Sequence, residues 1–303
     1  MKMSVIIPTY CRSEELECCL KALRMQSRPA DEIIIIVRAS DIKTKFFLEK
    51  IKVDHTNLRI INVSAPGQIA ALNAGLAEAR CDIIIFTDDD CVPSPDWLAR
   101  IGAYFQADPK IGGVGGRDKL YIDGKIIEGD NENVGVITWY GKIIGNHHLG
   151  YGQERAVDHL KGSNMAFRKE AVRGISFDLS LHGEGAQYRN DLALCLNVKK
   201  NGWKIIYDPQ IVVEHFYAPR FEKDQRGNFD LQAVEDGAYN ETRIAIKYMS
   251  FFKRWACLAY SVLIGSLFTP GLFQFIRIAV TGERNPVARF LAAARGRRLA
   301  IWK

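Results

Sequence analysis

The chain has 303 residues, of which 48% are apolar and 25% are charged, and this composition is ordinary for a globular protein. Seven cysteines, an odd number without paired or metal-ligand spacing, argue against a disulfide framework and a cysteine metal site. The net charge of +6 is carried by residues 277–303, which contain seven basic residues and one acidic residue. Because an apolar segment precedes this tail, its charge favours an anionic membrane surface over nucleic acid as a partner.

The chain enters an apolar strand pattern directly after its first residues. It shows no basic start, long apolar stretch or small-residue cleavage site of the kind that marks a signal peptide. We therefore expect the folded part of the chain to lie in the cytoplasm.

Strand and helix patterns alternate along the first part of the chain. The apolar runs that predict strands cover residues 3–7, 32–37, 58–63 and 83–86. A helical pattern at 67–79 separates the last two runs. This alternation predicts an α/β protein with a Rossmann-like, mostly parallel sheet flanked by helices and joined by right-handed crossovers. Ligands bind beyond the carboxyl ends of such strands, where Thr9, Arg38 and Asp88 would lie.

The middle of the chain is less regular. The run Gly112-Gly113-Val114-Gly115-Gly116 predicts irregular loops and short strands and a poor place to build core. Residues 161–168 are expected to lead into a helix, and Asn190 to open another. Two short strands are predicted at 205–207 and 211–213.

Three consecutive carboxylates, Asp88, Asp89 and Asp90, follow the apolar run at 83–86. Like charges at the end of a buried strand repel one another, so they are tolerated only where a cation or several donors converge. Mg²⁺ or Mn²⁺ bound to a diphosphate needs a few protein carboxylates and fills its other positions with phosphate oxygens. The triplet therefore predicts such a site, and a solvated acidic loop with turn prolines is the alternative.

Four motifs, one of which contains this triplet, occur in order along the chain. They are Ser-Val-Ile-Ile-Pro-Thr-Tyr-Cys-Arg at 4–12, Ala-Leu-Asn-Ala-Gly with Phe-Thr-Asp-Asp-Asp at 71–90, Lys-Gly-Ser-Asn-Met-Ala-Phe-Arg at 161–168, and Asn-Asp-Leu-Ala-Leu through Tyr-Asp-Pro to Glu-His at 190–215. In these motifs the chain resembles the family 2 glycosyltransferases, nucleotide-sugar-dependent enzymes of the GT-A fold. The resemblance implies a catalytic domain at 1–216, and we expect a C-terminal apolar helical extension at 217–303.

The resemblance implies an inverting transfer of a sugar from a nucleotide-sugar donor, with a divalent metal, Mg²⁺ or Mn²⁺, as cofactor. The metal ligands it implies are Asp88, Asp90 and His215, and the general base is Asp191. By themselves, His215 would be a structural histidine and Asp191 a helix-capping residue. The predicted donor-binding residues are Pro8, Thr9, Tyr10, Arg12, Asn73, Asp88 and Asp89, together with Arg38, which could bind phosphate or stack on a base. The acceptor-side residues are Asn164, Glu184 and Asn190.

Two residues depart from the family's pattern. Arg38 stands where many relatives have an aspartate for the nucleotide base, and Leu72 stands where many have an arginine. These departures leave the donor base open. They also motivate one alternative, a non-catalytic nucleotide-sugar-binding protein. A second alternative is a sugar nucleotidyltransferase, which would normally show a Gly-rich, basic phosphate loop in place of Pro8-Thr9-Tyr10. Arg38 and Glu184 could equally be a surface arginine and a solvated loop acid.

The segment Trp255–Ile276 contains no Asp, Glu, Lys or Arg over 22 residues, which is long enough to cross a bilayer of ~30 Å. Thr269-Pro270-Gly271 interrupts it, and basic residues flank both ends. We therefore expect a helical hairpin that lies in the inner leaflet, making the protein peripheral or monotopic at the cytoplasmic face of the cell membrane. There it would act on a glycolipid or saccharide acceptor. A buried extension of the soluble domain or a homodimer contact is the alternative.

Overall fold

The computed structural model describes residues 1–51, 57–219, 221 and 230–302. The strands are β1 (Met3–Thr9), β2 (Glu32–Arg38), β3 (Leu58–Val63), β4 (Ile83–Phe86), β5 (Cys91–Pro93), β6 (Ile111–Ile122), β7 (Lys125–Ile126), β8 (Val136–Ile137), β9 (Ile143–Ile144), β10 (Arg155–Ala156), β11 (Met165–Arg168) and β12 (Lys204–Phe216). The helices are α1 (Ser13–Arg24), α2 (Ile42–Ile51), α3 (Gln68–Glu78), α4 (Trp97–Ala107), α5 (Asn190–Lys200), α6 (Leu231–Tyr248), α7 (Phe251–Leu263), α8 (Leu272–Val280) and α9 (Pro286–Trp302).

Ten strands of the described residues form one sheet in the order β10-β12-β6-β11-β4-β1-β2-β3, with β5 beside β12 and β7 beside β6. Strands β3, β2, β1 and β4 run parallel, and β6 and β12 are parallel to each other. Strand β11 is antiparallel to both of its neighbours, β4 and β6. The predicted mostly parallel sheet is confirmed.

Apolar side chains cover both faces of this sheet. In β2, Ile34 and Ile36 belong to one buried cluster with α3 and α5, whereas Ile33 and Ile35 belong to a second cluster with α1 and α4. Successive residues of a strand point to opposite faces, so a strand covered on both sides needs an unbroken apolar run. This double burial explains the unbroken apolar runs at 33–37 and 83–86.

The expectation that Gly112–Gly116 forms irregular loops is wrong. These residues lie in β6, in the middle of the sheet, and are buried. A Cβ atom on Gly115 would collide with the carbonyl oxygen of Asn164, and one on Gly116 with that of Ile211. Glycine is needed here because neighbouring backbones approach closely.

Two other segments differ from their predictions. Residues 165–168 form β11 and are followed by turns instead of a helix. The short strands predicted at 205–207 and 211–213 are parts of one strand, β12, whose pairing with β6 shifts register between Asp208 and Val212. This irregularity accommodates Pro209, which cannot donate to a regular ladder.

The C-terminal helices pack against the same core as the sheet. Ile244 and Ala245 of α6 and Cys257 of α7 belong to the buried cluster that covers one face of the sheet. The break predicted at 269–271 is present, because α7 ends at Leu263 and α8 begins at Leu272. Within the described ranges, no helix has both the length and the apolar character needed to cross a membrane. The domain boundary at 216/217 stays a prediction.

Candidate functional site

A cleft opens at the carboxyl ends of β1, β2 and β3, the edge where a parallel sheet binds ligands. The predicted donor-binding residues that line this cleft are Pro8, Thr9, Tyr10, Arg12, Arg38, Asp88 and Asp89. Each stands at or just beyond the end of its strand, so the sheet itself brings them together.

One side of the cleft is formed by Arg38 and Tyr10. The guanidinium carbon of Arg38 lies 4.7 Å from the centre of the Tyr10 ring. Arg38 is therefore part of the cleft wall and not merely a surface residue at the end of β2. A guanidinium stacked on an aromatic ring presents a flat surface that suits a nucleobase or a phosphate.

Arg12 compensates the acidic triplet. Its Nη1 donates to Asp89 Oδ1 at 2.8 Å and to Asp90 Oδ2 at 3.3 Å, and its Nε donates to the carbonyl oxygen of Pro219 at 2.9 Å. Burial raises the pKa of Asp89 to about 7, an effect that Arg12 opposes and Asp90 reinforces. Because Asp89 and Asp90 are 2% and 3% exposed, the alternative of a solvated acidic loop is wrong.

His215 joins the triplet to a further acid, Asp118. Its Nε2 lies 3.2 Å from Asp90 Oδ1 and its Nδ1 lies 3.0 Å from Asp118 Oδ1. Burial lowers the pKa of His215, but Asp118 and Asp90 raise it more strongly, to about 10. The sequence did not single out Asp118, because its strand was expected to be a loop. Once β6 is recognised, its pairing with β12 places Asp118 opposite Val213, two residues before His215, and within hydrogen-bond reach of the imidazole.

These residues form a group of ligands that could hold a divalent cation. Asp88, Asp90, Cys91 and His215 each provide one atom, and the four atoms lie within 4.8 Å of one another. Burial keeps the pKa of the Cys91 thiol well above its usual range, so this residue stays a neutral thiol. The remaining set is the predicted one, two carboxylates and an imidazole, and the carboxylate oxygens are ligands that suit Mg²⁺ or Mn²⁺.

The geometry at His215 also fits a shared ion. Although Nε2 of His215 is close to Asp90, it makes no well-oriented hydrogen bond to any described residue. At its raised pKa the imidazole is protonated and pairs with Asp90, and a divalent cation between the two groups would replace that proton. The residues present therefore fit the predicted metal.

Asp191 lies in the first turn of α5, as predicted, but Arg189 is the N-cap residue of that helix. Asp191 Oδ2 accepts from the Gly162 amide at 3.2 Å, and Oδ1 accepts from the Leu192 amide at 2.8 Å. Burial alone would raise the pKa of Asp191, but the charge of Lys161 and smaller contributions from His159, Leu192 and Arg189 hold it below its ordinary value. The carboxylate is therefore anionic at neutral pH, the state that a general base requires.

Asn164 has a structural position that differs from the expected acceptor-side role. It is fully buried, and its Oδ1 accepts from Trp97 Nε1 at 2.9 Å. Its Nδ2 donates to the carbonyl oxygens of Arg117 and Ile211 at 3.2 and 2.9 Å. The side chain therefore joins β6 to β12, and its acceptor-side role stays a prediction.

Asn73, predicted to bind the donor, also lies outside the cleft lining. Its amide makes two hydrogen bonds to the backbone of Phe177: Nδ2 donates to the carbonyl oxygen at 3.0 Å, and Oδ1 accepts from the amide at 2.8 Å. These bonds fasten α3 to the segment that precedes α5.

Gln68 connects the remaining acceptor-side candidates to the acidic triplet. Asn190 is buried and its Nδ2 donates to Gln68 Oε1 at 3.3 Å, while Gln68 Nε2 donates to Asp88 Oδ1 at 3.4 Å. Glu184 is exposed, and it adjoins Gly185, whose carbonyl oxygen accepts from the Gln68 amide at 2.9 Å. Nothing in the sequence distinguished Gln68, because its role depends on partners distant along the chain.

Comparison with known proteins identifies the family. The sequence matches the model of glycosyl transferase family 2 over residues 4–175, which is more than half of the chain. The protein belongs to glycosyl transferase family 2.

Two relatives of this family 2 glycosyltransferase illustrate its range. A dolichyl N-acetyl-alpha-D-glucosaminyl phosphate 3-beta-D-2,3-diacetamido-2,3-dideoxy-beta-D-glucuronosyltransferase of Methanococcus voltae is 23% identical over 295 residues, covering 91% of this chain and 84% of that protein. Poly-beta-1,6-N-acetyl-D-glucosamine synthase of Staphylococcus aureus is 27% identical over 214 residues, covering 68% of this chain and 48% of the synthase. The alignment thus spans about half the length of the synthase.

Solved structures of similar shape confirm the GT-A fold of this family 2 member. The mannosyltransferase PcManGT of Pyrobaculum calidifontis, in complex with GDP-Man and Mn²⁺, has a TM-score of 0.60 at 18% identity, with 100% of this chain and 81% of that chain covered. Residues 1–349 of TarS from Staphylococcus aureus, in complex with UDP-GlcNAc, give a TM-score of 0.65 at 16% identity, with 97% and 79% covered. At these identities the likeness concerns the fold alone.

Proposed function

We propose that this protein is a metal-dependent glycosyltransferase that moves a sugar from a nucleotide-sugar donor to a lipid-linked or saccharide acceptor, with inversion at the anomeric carbon. One observation carries the proposal: a cleft with a cationic wall and a buried acidic cluster lie at one edge of the sheet, and Gln68 connects this cluster to Asn190, the neighbour of the anionic Asp191. Family membership and the titles of the similar structures, which contain GDP-Man with Mn²⁺ or UDP-GlcNAc, support it.

The donor would occupy the cleft with its base against Arg38 and Tyr10 and its diphosphate near Asp88 and Asp90. A divalent cation held by Asp88, Asp90 and His215 would supply Lewis-acid stabilisation to the departing diphosphate. Arg12, ion-paired with Asp89 and Asp90, keeps those carboxylates in place.

Asp191 would remove the proton from the acceptor hydroxyl. The amides of Gly162 and Leu192 fix its carboxylate, and each oxygen keeps lone pairs for a further hydrogen bond. A base on the side of the sugar opposite the diphosphate would direct the hydroxyl to the rear of the anomeric carbon, and attack from that side would give inversion.

The surface of the C-terminal helices supports attachment to an anionic membrane. Phe252 of α7 is 85% exposed and Phe273 of α8 is 58% exposed. The hairpin between β8 and β9 extends this apolar surface, because Tyr140 contacts Tyr260 of α7 and Trp139 is 86% exposed. Exposed aromatic residues on amphipathic helices favour the interfacial region of a bilayer.

The basic tail contributes fewer charges to that surface than its composition indicated. Arg297 is buried and donates to the carbonyl oxygens of Thr269 and Pro270. Arg277, Arg284 and Arg298 are exposed, whereas Lys303 lies outside the described residues. We propose peripheral attachment at the cytoplasmic face of the membrane, with the exposed arginines facing lipid headgroups and the acceptor carried by a lipid. The Methanococcus voltae relative, whose name specifies a dolichyl-phosphate-linked acceptor, supports such an acceptor.

Isothermal titration with UDP and GDP, with and without Mn²⁺, tests the proposal. We expect one of the two to bind only with the metal, and the corresponding nucleotide sugar to transfer its sugar to a polyprenyl-phosphate-linked saccharide. Binding without any turnover would indicate a non-catalytic nucleotide-sugar-binding protein. Release of pyrophosphate would indicate a nucleotidyltransferase. The absence of metal-dependent binding of either nucleotide would contradict the proposed donor site.

A further inference from the structure

Arg189, two residues before Asp191, is held by the C-terminal helices. It has a φ of +72°, a left-handed conformation that is unfavourable for a residue with a side chain. Its Nε and Nη2 both donate to Glu241 Oε1 of α6, at 3.3 and 3.1 Å. The two side chains are 17% and 13% exposed, so this ion pair is largely shielded from water.

The other oxygen of Glu241 is fixed by the turn between α7 and α8. Thr269, in that turn, donates from Oγ1 to Glu241 Oε2 at 2.9 Å and is almost fully buried. Arg297 of α9 donates from Nη2 to the carbonyl oxygen of Thr269 at 2.9 Å and from Nη1 to that of Pro270 at 3.0 Å. A continuous chain of hydrogen bonds therefore leads from α9, through this turn and α6, to the N-terminus of α5.

An aromatic contact joins the same two segments. The rings of Tyr188 and Phe268 lie edge to face with centres 5.2 Å apart. The guanidinium carbon of Arg189 lies 4.6 Å from the centre of the Tyr188 ring. The turn thus contacts Arg189 indirectly, through Thr269 and Glu241, and it contacts Tyr188 directly, through Phe268.

We propose that the turn between α7 and α8 is a positioning element for Asp191, acting through Glu241 and Arg189. Glu241 holds Arg189 in the left-handed backbone conformation, which Arg189 would leave without this ion pair. The carbonyl oxygen of Arg189 accepts from the Ala193 amide at 3.1 Å in the first turn of α5, so a change at Arg189 moves Asp191. This role goes beyond membrane attachment, and its effect on transfer rests on the proposed function of Asp191 as the base.

Two variants weaken this connection with small changes in shape: Glu241→Gln removes the charge that pairs with Arg189, and Thr269→Val removes the hydroxyl that donates to Glu241. Lys247→Gln is the matched control, because Lys247 of the same helix α6 pairs with Asp178 at 2.9 Å and not with α5. All are made in the full-length protein, and thermal unfolding is recorded for each, so that general destabilisation is separated from the local effect.

Amide hydrogen exchange at Asn190 and Ala193 reports the position of the helix start without any substrate. We expect exchange about tenfold faster in Glu241→Gln and Thr269→Val, and unchanged in Lys247→Gln. Thr269→Ser, which restores the hydroxyl, should restore slow exchange. The proposal would be overturned if Glu241→Gln and the control Lys247→Gln, at a matched loss of thermal stability, exchanged these amides at equal rates. It would also be overturned if the exchange rates in Thr269→Val and Thr269→Ser were the same.

Kinetics with the nucleotide sugar selected by titration provide the second readout. Misplacing a reacting group by a fraction of an ångström slows the chemical step more than it weakens binding, so kcat should fall about tenfold or more in Glu241→Gln while the KM for the donor stays unchanged. An unchanged kcat, or a loss confined to KM, would overturn the positioning role. If the wild-type protein transfers no sugar, the proposed function fails, and the exchange measurement alone decides whether the turn positions α5.

Discussion

Asp118 Oδ1 lies 3.0 Å from Nδ1 of His215, and this contact directs Nε2 of His215 toward Asp90. A carboxylate behind a metal-binding histidine fixes its orientation and raises its basicity, and the loss of such a group typically costs 10- to 100-fold in metal affinity. We therefore expect Asp118→Asn to weaken Mn²⁺ binding about tenfold or more in titration calorimetry. Glu214→Gln, at a neighbouring acid of β12, is the control and should bind Mn²⁺ normally. Equal affinities in the two variants would exclude an orienting role for Asp118.

Asp90→Asn should abolish the metal-dependent part of nucleotide binding. The substitution keeps the size of the side chain but removes the charge of a buried carboxylate that lies 3.2 Å from His215, so a cation loses a principal ligand. The measurement is the affinity for UDP and GDP with Mn²⁺ and with EDTA. Asp96→Asn is the control, because Asp96 follows in the same segment but pairs with Arg100. Undiminished metal-dependent affinity in Asp90→Asn would place the cation elsewhere.

Asp191→Asn should reduce transfer by about 10² or more, the scale expected when a general base is removed, with little change in donor affinity. Steady-state rates between pH 6 and 8 measure the loss. Glu184→Gln serves as the comparison, because Glu184 is an exposed acid in the loop that borders the cleft. If Glu184→Gln were inactive and Asp191→Asn active, the roles of these two residues would be exchanged.

Asp178 should make folding stability depend on acid pH. Burial would raise its pKa, but hydrogen bonds from Ser180, Lys247 and Tyr248 lower the pKa of Asp178 to about 2. A carboxyl with a depressed folded-state pKa stabilises the protein above its unfolded value of ~3.9, and this contribution is lost as pH falls toward 2. Urea unfolding should show wild type about 2 kcal/mol more stable than Asp178→Asn at pH 6, with the difference shrinking below pH 4. A constant difference over this range would show that the carboxyl charge is not responsible.

Flotation with liposomes tests the proposed membrane surface. The full-length protein should float with phosphatidylglycerol vesicles at low salt, through apolar insertion and about 1 kcal/mol for each exposed basic residue near the surface. Added salt should weaken this binding without abolishing it, and Phe252→Ser with Phe273→Ser should reduce it further. Leu179→Ser, at an exposed apolar residue outside the C-terminal helices, is the control. A dimer in sedimentation that fails to float would show that a second copy of the chain covers this surface.

The parallel half of the fold was predictable because its signals are local. The run from Ile33 to Val37 shows an unbroken strand, and the carboxylates after β4 mark the edge where ligands bind. The strand can be inferred from residue types alone, because a strand buried on both faces is an unbroken apolar run. The ligand site can be inferred because its three carboxylates are adjacent in sequence.

The rest of the site depends on contacts between distant segments. Asp118 could not be found while β6 was expected to be a loop, and Asn164 could not be assigned without knowing that Trp97 binds its amide. Arg189 and Glu241 are an unremarkable arginine and glutamate in sequence. Only packing of α6 against α5 makes them partners.

The glycines of β6 tolerate substitution poorly. Gly112 and Gly113 lie against the side chains of Trp203 and Phe167, and Gly115 and Gly116 lie against backbone oxygens, so even a methyl group forces one of these neighbours to move. None of the four glycines has a side chain that could take part in chemistry. In a selection of random variants for activity, we expect these positions to be about as intolerant as Asp90. An experimenter who mapped the active site by mutational sensitivity alone would therefore place part of it in the middle of the sheet.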